Sequence, residues 1–314
     1  MSVLCIGSSV IDITAYPVEA GVTWKEKQRI SDIRILPGGD AVNQSVHLAA
    51  LGVDVALCGC VGDDQNGQLL ADALHNRGVD TRFLRRKTDF QTTASLVLVN
   101  GVGERHTFSV KGAHSTLAKE DLPDEFPTDC QAISLASLFS MTSLEQDGLA
   151  EYLKQAKENG ILVFADLASD KLGQGLPGIR PFLPYIDYFL PSLYDALTMT
   201  CTNNAESAAR VYHNLGVRHV IIKCGEKGCF CLDDTFSGWI PAVPVKPVDT
   251  TGAGDCMGAV FLTRILAGEL FADACSYACA AASYSTLFMG ASQIKLNDRK
   301  IREFMEEQTP KMSF

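Results

Sequence analysis

The chain has 314 residues, 46% hydrophobic and 20% charged, which is a globular composition and not a disordered one. Its 27 Lys+Arg against 37 Asp+Glu leave a formal net charge of −10, and with no basic tract a nucleic-acid partner is not expected. The longest apolar stretch, around 275–291, is interrupted by Ser276, Tyr277, Ser283, Tyr284 and Ser285, and Met1–Asp12 lacks the charged start of a signal peptide, so the reading is cytoplasmic, with no membrane partner.

Val3–Gly7 is a short apolar run ending in glycine and predicts a buried strand running into a turn. Ile33 and Ile35 alternate with Asp32 and Arg34, a half-exposed strand, before Pro37-Gly38-Gly39 breaks the chain. Ala41–Leu51 predicts a helix ended by Gly52, Val53–Val61 a buried strand, and Asn66–Asn76 a helix closed by Gly78. Thr92–Val99 and Arg105–Val110 flank Asn100-Gly101-Val102-Gly103, a hairpin signal.

Strand and helix then alternate. Ala132–Leu138, Ile161–Asp166, Tyr188–Leu190, His219–Lys223 and Gly228–Leu232 read as strands. Leu144–Asn159, Ala205–Leu215, Asp255–Ala267 and Leu270–Met289 read as helices. Alternating βα units imply a three-layer α/β core with a mostly parallel sheet. The strands within 13–35 and 92–111 do not fit that alternation and are grouped as a small β lid on a core of 1–12, 36–91 and 112–314.

Of the 11 cysteines, Cys58/Cys60 and Cys229/Cys231 are spaced i, i+2, which puts each pair on one face of a strand. Zinc would want Cys-x-x-Cys pairs or nearby histidines. Free thiols acting as small core hydrophobes in a reducing compartment are the reading adopted. His47, His75, His106, His114, His213 and His219 are scattered without metal spacing and read as solvated or core-edge residues.

The sharpest motif is Asp249-Thr250-Thr251-Gly252-Ala253-Gly254-Asp255, followed by the apolar helix Met257–Leu266. A Gly-Ala-Gly turn entering a helix presents free N–H groups at the positive end of the dipole, a site for a phosphoryl group. A carboxylate at its mouth can take a proton from a hydroxyl. On the glycines alone, the ordinary N-cap is the stronger reading of Asp255, and only the longer string favours the chemical one. No Gly-Lys-Thr or Gly-Lys-Ser occurs, nor a Gly-x-Gly-x-x-Gly after the first strand, which argues against P-loop and dinucleotide folds.

That string resembles the C-terminal signature of the ribokinase-like sugar and nucleoside kinases, the phosphofructokinase-B type. Pro37–Gln44 with Leu51-Gly52 resembles the N-terminal signature, as does Val61-Gly62-Asp63-Asp64 with Gly67. Gly7 with Asp12 is similar to the substrate loop, Gly103–Phe108 to a lid strand, and Ile221–Gly228 to the nucleotide-binding strand and turn.

The resemblance implies a Rossmann-like core with a β lid and ATP-dependent phosphorylation of a small monosaccharide. In that reading Asp255 is the general base and the amides of Gly252, Ala253 and Gly254 form the anion hole. Asp12, Gly38, Gly39, Asp40, Asn43 and Lys111 would meet the sugar. Ser192, Lys223, Gly225, Glu226, Gly228 and Cys279 would meet ATP, and Asp195 would hold Mg²⁺ through water. Asp249, Thr251, Ser285, Phe288 and Gly290 would form a K⁺ site, against the alternative that Asp249 only caps the turn. A lid sheet with an exposed apolar face also invites pairing with a second copy, so a homodimer through the lid is expected.

Several residues depart from the family pattern. Asp40 stands for a lysine and Val10 for an asparagine of true ribokinases, and Lys111 for a frequent arginine. Ser192–Asp195 replaces Asn-x-x-Glu, and Asp166–Asp170 replaces Asp-x-Asn-x-Arg. With Asp12, Asp40 and Asp255 all acidic, a neutral sugar is expected over an acid or phosphate. A nucleoside kinase, its base on a shelf drawn from Tyr16, Trp24, Phe83 or Phe90, and a non-catalytic sugar-binding regulator are the alternatives.

Overall fold

The computed structural model describes residues 2–19, 27–101 and 105–308. The chain opens with β1 (Ser2–Ile6), β2 (Val10–Tyr16), β3 (Asp32–Gly38), α1 (Asp40–Ala50), β4 (Asp54–Gly62) and α2 (Gln65–His75). There follow β5 (Leu84–Lys87), β6 (Thr93–Val99), β7 (Arg105–Val110), β8 (Cys130–Leu138), α3 (Thr142–Gln146), α4 (Leu149–Glu158) and β9 (Leu162–Leu167). The rest comprises α5 (Gly175–Ile179), β10 (Tyr188–Phe189), α6 (Leu193–Thr200), α7 (Ala205–Asn214), β11 (His219–Lys223), β12 (Cys229–Leu232), β13 (Ser237–Ile240), α8 (Ala253–Leu266), α9 (Phe271–Ser285) and α10 (Asp298–Gln308).

Nine strands form one sheet in the order β13-β12-β11-β10-β9-β8-β1-β4-β5. Every pairing from β5 to β11 is parallel, and β12 and β13 close one edge as antiparallel strands. Because side chains alternate along a strand, β1 feeds both layers: Val3 and Cys5 enter the core shared with α1, α8 and α9, whereas Leu4 and Ile6 enter the core shared with α4 and α7. Cys229 and Cys231 lie together in the first core and Cys58 and Cys60 together in the second, as their spacing predicts.

The lid is a separate four-stranded sheet, β3-β2-β6-β7. Its strands reach further toward the core than the expected 13–35, because Val10 pairs with both Gly38 and Thr93. Asp12 therefore sits within β2. The register sets Ile13, Ile35, Leu96 and Phe108 abreast, and Ile33 and Ala15 likewise in the next row. This face is apolar and open: Ile33 is 62% exposed, Ile35 50% and Phe108 53%.

Three helix expectations change. The stretch 144–159 is two helices, parted at Gly148, whose φ of 105° is left-handed. α9 stops at Ser285, four residues short of Met289. α8 starts at Ala253, so Gly252 is its N-cap and Asp255 its third residue.

Candidate active site

β1 lies between β4 and β8, and the chain leaves it toward both sides of the sheet, so a crevice opens beyond its C-terminal end. Ser8, just past that end, has its hydroxyl 2.9 Å from Ser137 Oγ at the end of β8 and accepts the Asp40 N–H at 3.0 Å. Gly39 turns the chain with φ 95°, and a Cβ there would lie 2.5 Å from the Ser8 carbonyl oxygen. These contacts fix the start of α1. Its next turn carries Asn43 and Gln44, both buried, toward α8.

Asn43 Nδ2 donates to Asp255 Oδ2 at 2.8 Å, and Gln44 Nε2 reaches Asp255 Oδ1 at 3.4 Å. Ser134 Oγ holds the Gln44 amide from behind at 2.6 Å. The Asp255 carboxylate is thus turned inward to α1, which disposes of the N-cap reading. Gly252, the cap, has φ 71°, and a Cβ would come within 2.5 Å of Ala291 Cβ. Asp249 shapes the turn by accepting the N–H groups of Thr251 and Gly290, each at 2.8 Å.

The acids crowd. Asp12 Oδ2 lies directly over the Cα of Gly38, where no side chain fits. Burial pushes Asp12 up to about 6 against a hydrogen bond with Ser95. Asp40 accepts from Ser137 Oγ at 3.2 Å and is pushed up to about 6, by burial first and then by Asp166. Asp255 is raised well above the ordinary carboxylate range by burial and by Asp40. Lys223 forms a buried ion pair with Asp166, yet burial still raises Asp166. The Lys223 ammonium also lies over Gly254, 3.1 Å from where a Cβ would be.

From Gly254 and Lys223 a cleft of about 640 Å³ runs out between the 225–228 turn, the 242–247 segment and α9. Its far walls are apolar, with Val243, Val245, Pro247, Met257 and Ala282. Gly225, Glu226, Gly228 and Cys279 line it as well. Gly228 has φ 91°, and a Cβ would collide with the Ile240 carbonyl oxygen. A planar apolar group at one end and an anion at the helix N-terminus would suit this shape.

The remaining expected residues fall as follows. Ser192 caps α6, accepting the Asp195 N–H at 3.1 Å and donating to Asp195 Oδ2 at 2.5 Å, so the pair closes on itself beside Asp166. Of the K⁺ set, Asp249 binds the amides of Thr251 and Gly290, and the Phe288 N–H donates to the Ser285 carbonyl at 3.2 Å. Lys111 is exposed at the end of β7. Together with Lys171 it adds to the burial that holds His114 down to about 4. Phe83 is half-buried and packs on the core under α4 and α7. Phe90 is exposed, and Trp24, Gly103 and Glu104 lie outside the described residues.

Two contributors escaped the sequence reading. His47 is wholly buried, not solvated, and its Nε2 donates to the Ala291 carbonyl at 3.0 Å, holding the loop that packs on Gly252. Ser137, which binds both Ser8 and Asp40, is an unremarkable serine in an apolar strand. Neither carries a motif; only the proximity of α1 to β8 and to the 290s exposes their role.

The model of the pfkB family of carbohydrate kinases matches residues 1–298. The chain belongs to that family. It is a ribokinase-like phosphotransferase. It is 28% identical to a ribokinase of Haemophilus influenzae over 287 residues, covering 87% of this chain and 88% of the relative. It is 32% identical to an ATP-dependent ribose-1-phosphate kinase of Halopiger xanaduensis over 251 residues, covering 76% and 78%. A crystal structure of a putative ribokinase II from E. coli, in complex with ATP and Mg²⁺, superposes with a TM-score of 0.83 at 21% identity, covering 98% of this chain and 99% of the other. Chemistry of the family is therefore ATP-dependent phosphorylation of a sugar or nucleoside hydroxyl.

Proposed function

We propose that this kinase phosphorylates a hydroxyl of a small neutral monosaccharide, with Asp255 as the general base. The observation that carries this is Asp255 itself, held by Asn43 and Gln44 at the N-terminal turn of α8 where the nucleotide cleft ends. Asp12, over Gly38, and Asp40 would accept hydrogen bonds from sugar hydroxyls, and Gly39 lets the chain pass close to Ser8 at that end. Asp255 would take the proton of the attacking hydroxyl as the γ-phosphoryl moves onto it. The amides of Gly252 and Gly254, with the Lys223 ammonium, would receive the charge on the transferring oxygens, joined by the Ala253 N–H, which in the unliganded chain donates to the Thr250 carbonyl at 3.3 Å.

Magnesium, when bound with ATP, would neutralise phosphate charge. The residues fit it: Asp195 and Asp166 are electrostatic neighbours at the phosphate end of the cleft, a hard oxygen set that Asp195 would offer through water. Asp249, with Thr251, Ser285, Phe288 and Gly290, is the set that would take K⁺, an ion that would tie the 250s turn to the 290 loop and keep the amides aimed.

Acidic residues at the sugar end favour an uncharged substrate, since a carboxylate or phosphate beside Asp12 and Asp40 would meet like charge. The open apolar lid face would be covered by the same face of a second copy, giving a homodimer through the lid. The deciding experiment is ADP release across neutral sugars, sugar acids, sugar phosphates and nucleosides at fixed ATP. A higher kcat/KM for any anionic member would overturn the neutral reading and point to Lys111 with Lys171. Sugar binding without ADP release from any member would mark a regulator instead.

A further inference from the structure

We propose that Asp40 is a positioning residue for the reaction: a second carboxylate set beside Asp255 that makes Asp255 a stronger base. The inference rests on the reading of Asp255 as the general base.

Geometry places the two together. Asp40 is the first residue of α1 and Asn43 lies three further on, so they share a face of the helix. Asn43 is bonded to Asp255 at 2.8 Å, which leaves Asp40 one side chain away from the same carboxylate. Asp40 is held in place by Ser137 Oγ on β8 and by its own N–H to Ser8 Oγ.

The surrounding charges do not cancel Asp40. From β9 and β11 the site is faced by Asp166 and Lys223, but these two are paired with each other. From β2 it is faced by Asp12, another acid. On α8 the only other titratable neighbour is Cys256, a buried thiol that stays neutral. The neutral amides of Asn43 and Gln44 complete the shell of Asp255. Lys223 favours the charged form of both acids, but, paired as it is with Asp166, it has less influence on Asp255 than Asp40 has, and Asp40 opposes ionisation of Asp255. A base whose proton affinity rises toward the working pH accepts a hydroxyl proton more readily.

The test is the pH dependence of kcat/KM in the wild-type enzyme, Asp40→Asn and Asp40→Glu. Asparagine keeps the shape and a Ser137 contact but removes the charge; glutamate keeps the charge. The acid-limb midpoint is expected to fall by about one pH unit in Asp40→Asn and to stay near the wild-type value in Asp40→Glu. Should either variant turn over too slowly, ¹³C NMR titration of carboxyl-labelled aspartates reads the same quantity, the Asp255 signal being the one lost in Asp255→Asn. An Asp255 midpoint in Asp40→Asn that is unchanged or higher than in the wild-type protein overturns the proposal. If Asp255→Asn itself retains near wild-type turnover, it is the base assignment that fails, and the NMR titration still reports on the pairing of the two acids.

Discussion

Asn43 and Asp255, 212 residues apart, are joined by a hydrogen bond of 2.8 Å between amide and carboxylate. That contact links the two signature segments of the chain: one turns at Gly38 and Gly39, the proposed sugar end, the other at Gly252 and Gly254, the proposed anion hole. It also aims Asp255 toward α1 and away from the 252–254 turn, where the Ala253 N–H donates to the Thr250 carbonyl at 3.3 Å. Asn43→Ala is expected to release the Asp255 carboxylate and to lower kcat by roughly tenfold to a hundredfold, with a smaller change in the KM for ATP. Steady-state kinetics with both substrates varied separate the two parameters; an unchanged kcat would show that Asn43 only fills space.

Acid should inactivate the enzyme before it unfolds it. Asp12 and Asp40 are pushed up to about 6, so on lowering the pH they take up protons and stop accepting from sugar hydroxyls. Activity is expected to fall on the acid side through Asp255 first, which is raised well above the ordinary carboxylate range, and further through Asp12 and Asp40 below about 6. Stability has the other sign. Asp12, Asp40, Asp255 and Glu145, the last pushed up to about 7, bind protons in the folded chain where the unfolded chain has lost them. Their contribution is therefore lost as pH rises through 6 to 7, and the Tm of the ligand-free protein should rise from pH 8 to 6.5. Below 6.5, buried His47 and His114, held down to about 4, act in the opposite direction. Thermal melts across that range check the sign; a Tm that falls between pH 8 and 6.5 contradicts it.

Glu145 supports the floor of the site. Its Oε1 accepts the N–H of Phe139 at 2.6 Å and of Met141 at 3.2 Å, where Phe139 turns the chain with φ 75° directly after the strand that bears Ser137. Glu145→Ala leaves two buried donors unpaired and should cost about 1–3 kcal/mol of stability. Glu145→Gln keeps an acceptor and should cost less. Urea unfolding of the two variants distinguishes them; equal losses would mean that packing and not the hydrogen bonds matters.

The lid predicts assembly. A charge introduced at Phe108 or Ile35, in the middle of the exposed apolar row, should convert a dimer to a monomer without unfolding the α/β core. Light scattering at micromolar concentration reads this directly, and a wild-type protein that is already a monomer with and without sugar would remove the lid dimer.

How much was legible in sequence follows from where the information is local. The apolar runs at Val3–Gly7 and His219–Lys223, and the Asn100-Gly101 turn between β6 and β7, declare themselves because periodicity and turn chemistry are short-range. β5, Leu-Arg-Arg-Lys, and β13, Ser-Gly-Trp-Ile, are edge strands whose apolar face is small, so pattern reading passes over them. α10 buries only Ile301 and Phe304 in an otherwise charged stretch and is missed for the same reason. In the site, Asp255, Asn43 and Gly252 were legible through motifs. Ser137 and His47 were not, since each acts by a contact that only the tertiary fold creates.

The central claim is that Asp255 moves the proton, and its most direct test is turnover of Asp255→Asn on the substrate found by the ADP-release screen, with sugar affinity measured in parallel by calorimetry. Asparagine preserves size and most of the contact to Gln44 while removing the base. The account predicts a loss of roughly 10²–10⁴ in kcat with sugar affinity changed by no more than about threefold. A kcat near that of the wild-type enzyme would contradict it.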